Sequence, residues 1–110
     1  MDSGVIDYFR AAIALTASTG HGFGLDEVVY VPWAWQIIDG SKVSFGWVVR
    51  LRGGRRLYLQ YRVDESGRRA PQDLVAWPLA PGEEHPVLSD PGVHWFEARH
   101  VNRRLGLSGQ

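Results

Sequence analysis

The spacing of hydrophobic positions changes along the chain. Near the start, Val5, Phe9, Ala12, Ile13 and Thr16 recur at the i, i+4, i+7, i+8 spacing of one helical face, with Asp7 and Arg10 on the wet side. This spacing predicts a helix from about Gly4 to Ala17, with Asp2 or Ser3 as its N-cap. The run Thr19-Gly20-His21-Gly22-Phe23-Gly24 ends it, because glycine supplies positive φ and a C-cap.

From Glu27 to Ile38 the period drops to two. Val29, Val31, Trp33, Trp35 and Ile37 fall on one face of a first strand. Pro32 has no N–H to donate, so this strand lies at an edge or breaks in its middle. Asp39-Gly40 marks a turn. A second strand follows from about Val43 to Arg52, and a third from about Arg56 to Val63, with Gly53-Gly54 between them.

The register of this hairpin follows from the side-chain pattern. A loop of odd length places Val43, Phe45, Trp47, Val49 and Leu51 on the same face as Leu57, Leu59, Tyr61 and Val63. An even loop moves one whole set to the wrong face. The expectation is therefore an odd loop with a glycine in a left-handed bulge position. The opposite face carries Ser44, Val48, Arg50, Arg52, Arg56, Tyr58, Gln60 and Arg62.

Asp64-Glu65-Ser66-Gly67 makes the next turn, and a fourth strand covers about Asp73 to Leu79, with Pro78 at its end or edge. Ala80 to Ser89 is a polar connector. Asp90-Pro91 reads as a helix start, Asp as N-cap and Pro at the first helical position. The last helix is expected from about Pro91 to Leu105, with Arg103 and Arg104 in its final turn and Gly106 as its stop. The order α-β-β-β-β-α predicts a single α+β domain over residues 1–110. Its four-stranded antiparallel sheet, flat or curled, carries both helices on its apolar face.

Length and composition narrow the classes. The chain has 110 residues, 45% of them hydrophobic, enough for one core without staples. It has no cysteine, which removes disulfides, thiolate nucleophiles and cysteine zinc sites. The apolar stretch Ala11 to Leu15 is far short of a membrane span. Asp2 and Asp7 stand where a signal peptide needs basic residues. The expectation is a soluble, cytoplasmic protein that uses no membrane.

The formal net charge of zero hides a segregation. Ser41 to Arg69 holds eight basic and two acidic residues, net +6, against −6 for the remainder. Arg50, Arg52, Arg56 and Arg62 share a sheet face with Tyr58, a pattern suited to carboxylate or phosphate partners. It is equally the pattern of a solvated face whose arginines pair with the chain's own acids. The five tryptophans serve either as core or as a partner hot spot, with Trp33 and Trp35 the candidates on the edge strand.

Other constellations carry less chemistry. His94, Glu97 and His100 lie three apart on the expected last helix, where the two histidines stand about 9 Å apart along the axis. They do not form a zincin motif, and no metal or cofactor is expected. His21 lies in a glycine loop without a nucleophile or orienting acid fixed by spacing. No G-x-S-x-G elbow is present.

These observations favour a non-catalytic binding module that recognises a protein partner, or a second copy of itself. Its expected contact residues are Trp33, Trp35, Arg50, Arg52, Arg56, Tyr58 and Arg62. Nucleic-acid binding on the basic hairpin over 41–69 is the second reading. The third is a small-molecule pocket or enzyme, favoured if a cavity gathers Trp47, Tyr61 and a convergent histidine.

Overall fold

The computed structural model describes residues 2–64 and 73–108. The turn expected at Glu65-Ser66-Gly67, and Arg68 and Arg69 of the basic stretch, lie outside them. Helix α1 (Asp2–Leu15) continues through a 3-10 turn (Thr16–Thr19) to Gly20, whose φ of 81° ends the helical path. The helix therefore begins ahead of the expected start at Gly4. Ile6, Phe9, Ala12 and Ile13 are buried. Thr16 is also buried: its hydroxyl donates to the Ile13 carbonyl at 2.6 Å and accepts the Phe23 N–H at 3.2 Å. That pair ties the glycine loop back onto the helix.

Strands β1 (Val28–Asp39), β2 (Lys42–Leu51), β3 (Arg56–Asp64) and β4 (Asp73–Pro78) form an antiparallel meander. A fifth strand, β5 (Phe96–Glu97), pairs with Ala34 and Trp33 of β1, giving the order β4-β3-β2-β1-β5. The α+β antiparallel class is as expected, with five strands among the described residues in place of four. The β2–β3 register also follows the odd-loop argument: Val43 faces Val63, Trp47 faces Leu59, and Arg50 faces Arg56. Leu51 N–H donates to the Arg55 carbonyl at 2.7 Å, closing a turn over Arg52-Gly53-Gly54 in which φ is 85° and 89° at the two glycines. Those angles suit glycine and strain other residues.

One face of the sheet carries the larger core. Phe45, Trp47, Val49, Leu51, Leu57, Leu59 and Tyr61 pack there against α1 and against α2 (Arg99–Leu105) through Val101. Phe9 meets Trp47 edge-on at 5.2 Å, and Tyr8 lies 4.9 Å from Phe45.

Two sequence expectations are corrected. The first concerns β1, which does not alternate uniformly. Its pairing with β2 shifts between Val28 and Tyr30 and again between Tyr30 and Trp33. Val28, Val31 and Ala34 consequently join the helix-side core, while Trp33, Trp35 and Ile37 join a separate cluster with Val48 and Tyr58 of the opposite face. The break falls beside Pro32, which cannot donate to a ladder, and extra residues in a bulge reverse which side chains point inward. Asn102 of α2 completes the irregular ladder: its side chain accepts the Val31 N–H and donates to the Val31 carbonyl, both at 2.8 Å.

The second concerns the last helix, which begins at Arg99 rather than Pro91. Asp90 does accept the Gly92 N–H at 2.8 Å, and its carbonyl accepts the Val93 N–H at 3.2 Å. These bonds make a turn that no helix follows. The local chemistry of an N-cap and of such a turn is the same. Beyond it, Val93 and Trp95 pack on the sheet and Phe96–Glu97 pairs with β1, so tertiary contacts decide in favour of extended chain.

The chain thus wraps its own sheet. It leaves β4 at one edge, crosses the face opposite the helices as a strap over 79–95, joins the other edge as β5, and turns into α2 on the first face.

Candidate functional site

The strap determines the setting of the sequence-derived site residues. Leu79, Leu88, Val93 and Trp95 pack over Trp35, Val48 and Tyr58. Trp35 is 3% exposed and Tyr58 is 0% exposed. The Trp35 indole N–H donates to the Tyr58 hydroxyl at 3.1 Å, and that hydroxyl donates to Gln60 Oε1 at 2.8 Å. Burial pushes the Tyr58 phenol well above its ordinary pKa, and the Trp35 hydrogen bond offsets only part of the shift. Tyr58 also lies 4.7 Å from Trp77 and 5.9 Å from Trp95. Trp33 is half-buried, its ring edge-on to His85 at 5.5 Å, and His85 stacks on Trp95 at 4.5 Å.

The arginines divide by their partners. Arg56 donates to the Glu83 and Ala80 carbonyls and so holds the start of the strap. Arg50 lies over the Tyr30 ring at 5.3 Å. Arg62 is exposed and donates to the Ser44 hydroxyl at 3.2 Å. Arg52 is exposed in the β2–β3 turn. The structure therefore brings Trp35 and Tyr58 together as interior groups. Arg50, Arg56 and Arg62 surround them, each engaged within the chain.

A different site lies on the helix side, where β1, the first turns of α1 and the segment 96–103 meet. A partly open groove of about 410 Å³ runs between them. Its apolar lining includes Val5, Ala34, Phe45, Trp47 and Phe96; its polar lining includes Gln36, His100 and Arg103. This volume falls within the range of about 300–1,000 Å³ common for ligand sites. Glu97 and Arg99 at the rim pair with each other at 2.6 Å. Arg103 is exposed, and its guanidinium has no partner among the described residues.

His100 is the unusual group. Its Nε2 atom is buried and makes no hydrogen bond. A buried ring nitrogen without a partner carries a desolvation cost that most native polar atoms avoid. The helical triad of His94, Glu97 and His100 is corrected: His94 and Glu97 precede α2, so only His100 lies on it. Among the described residues no cluster of metal-ligating side chains occurs.

The sequence reading gathers Trp47, Tyr61 and an unspecified histidine around a possible cavity; the groove brings Trp47 to His100, and Tyr61 does not line it. Val5 reads as core, and His100 and Arg103 as features of a long helix. What assembles them is the pairing of β5 with β1, which sets where α2 begins. The available signal was the three-residue spacing of His100 and Arg103, which places them side by side on a helix surface.

Comparison of the chain with protein-family models gives no match, and comparisons with curated proteins and with solved structures give none either. Fold and site together describe an α+β domain with one sheet face under two helices, the other under a strap, and a groove open beside the second helix. No helix among the described residues is long and apolar enough to cross a membrane.

Proposed function

We propose that this chain is a non-catalytic binding module whose ligand is a small molecule seated in the groove beside α2. The supporting observation is a groove of about 410 Å³ that gathers Trp47 and the unpartnered His100. Aromatic and aliphatic walls with a few convergent polar groups are the usual makeup of such sites. The test uses Nile red, a neutral dye that brightens in apolar surroundings. Wild-type protein is expected to brighten it saturably. Gln36→Trp, at an exposed groove position on β1, is expected to abolish most of that signal with an unchanged melting temperature. Equal brightening by both proteins, or none by wild type, overturns the reading.

A protein partner or a second copy is a second proposal, favoured by one observation. Val75 and Trp77, 42% and 37% exposed, stand on the same face of β4, an edge strand of the described sheet. An edge strand with exposed apolar groups is a template for pairing. Light scattering at low and high salt checks it: a dimer lost on Val75→Lys supports it, and a monomer at both salts removes self-association.

A further inference from the structure

Resting on the groove reading, we infer that the preferred ligand is an anionic amphiphile: an apolar chain or ring ending in a carboxylate, bound with its acid group against His100 and Arg103. Three observations converge. The floor is apolar, formed by Val5, Ala34, Phe45 and Trp47, which suits a hydrocarbon body. The polar side of the groove is cationic. Arg99 is held by Glu97, and the Arg103 guanidinium is left with no partner among the described residues. The third observation is the ring of His100, one helical turn before Arg103, with Nε2 buried and unbonded.

A carboxylate answers both groups, once the His100 ring turns its buried Nε2 towards the groove. It accepts two parallel hydrogen bonds from a guanidinium fork, and it accepts another from an imidazole N–H. A neutral alcohol satisfies at most part of this set, and a cationic head group is repelled by it. The apolar floor alone does not discriminate among these three, so head-group preference isolates the contribution of His100 and Arg103.

The experiment titrates the full chain with sodium decanoate, decanol and decyltrimethylammonium, each below its micelle concentration, and follows tryptophan fluorescence. Trp47 forms part of the groove floor and reports its occupancy. Decanoate is expected to bind about ten-fold more tightly than the other two, as one charge-assisted hydrogen bond allows. Arg103→Glu is expected to remove that advantage and leave decanol binding unchanged. Arg103 is exposed, so the variant should fold, and a thermal melt confirms that it does. His100→Phe keeps the ring and is expected to weaken decanoate selectively.

The two readings fail differently. If decanol and decanoate bind equally, or Arg103→Glu binds decanoate like wild type, the carboxylate inference falls and the apolar groove stands. If neither ligand binds and Nile red does not brighten, both fall.

Discussion

The indole of Trp35 occupies the space that a side chain on Gly46 would need. The two residues face each other across β1 and β2, and a Cβ built on Gly46 would overlap the indole Nε1 and Cε2 atoms. Trp35 has no room to yield, since it is buried and its N–H is bonded to Tyr58. Gly46→Ala is therefore expected to destabilise the protein by about 3 kcal/mol or more, as severe overpacking does. Denaturant melts check this, and a loss below 1 kcal/mol would show that the indole is not fixed there.

Tyr58 makes stability sensitive to alkali. Its folded pKa lies above the ordinary 10.0 because the buried phenolate is poorly solvated. The unfolded chain releases this proton near pH 10 while the native chain keeps it. The contribution is thus fully present below pH 10 and is lost as pH rises above it. Tyr58→Phe is expected to flatten the fall in stability above pH 10. A residual slope remains from Tyr61, which burial also shifts upward. At neutral pH the same variant costs about 1–2 kcal/mol, because the Trp35 N–H loses its acceptor. Identical pH profiles for variant and wild type would falsify this assignment.

Asn102 substitutes for a missing ladder partner. It serves both the N–H and the carbonyl of Val31 and also donates to the Ala98 carbonyl at 3.0 Å. Asn102→Ala leaves two buried backbone groups of β1 without that partner, an expected cost of about 3 kcal/mol. Asn102→Asp keeps the acceptor for Val31 N–H but loses the donor, so it should also be destabilised. Chemical denaturation of both variants measures this. Wild-type stability in Asn102→Ala would mean that water replaces the side chain freely.

Arg56 anchors the strap through the carbonyls of residues 80 and 83, and the Ala80 N–H donates to the Glu83 carboxylate at 3.1 Å. Arg56→Ala is expected to speed amide exchange across 80–95 and to raise acrylamide quenching of Trp95, while β2 and β3 stay protected. Strap exchange unchanged from wild type would show that the apolar contacts of Leu88, Val93 and Trp95 suffice.

Much of the fold was legible because it is local. The α1 face with Phe9 and Ile13 follows from helical spacing, and its end follows from Gly20. The β2–β3 register follows from two facts in the chain: alternation from Val43 to Val63, and glycines where the turn needs positive φ. Both depend on neighbours a few residues apart, so sequence spacing carries them.

The rest depended on contacts between distant segments. Pro32 signals an irregular strand, but no neighbouring residue reveals that the shifted pairing swings Trp33 and Trp35 away from the helices. Asp90-Pro91 carries the same signal for a turn as for a helix, and pairing of Phe96–Glu97 with Trp33 and Ala34 selects the turn. Tyr58 looks like an exposed aromatic among arginines until the strap covers it. The groove follows the same rule: Val5, Trp47 and His100 are brought together by the position of β5. By itself the sequence determined the helix face, the hairpin register and the α+β class, because periodicity and turn chemistry act over short range. Only the tertiary structure decided which side chains are covered and which cavity stays open, because burial is set by whichever distant segment packs there.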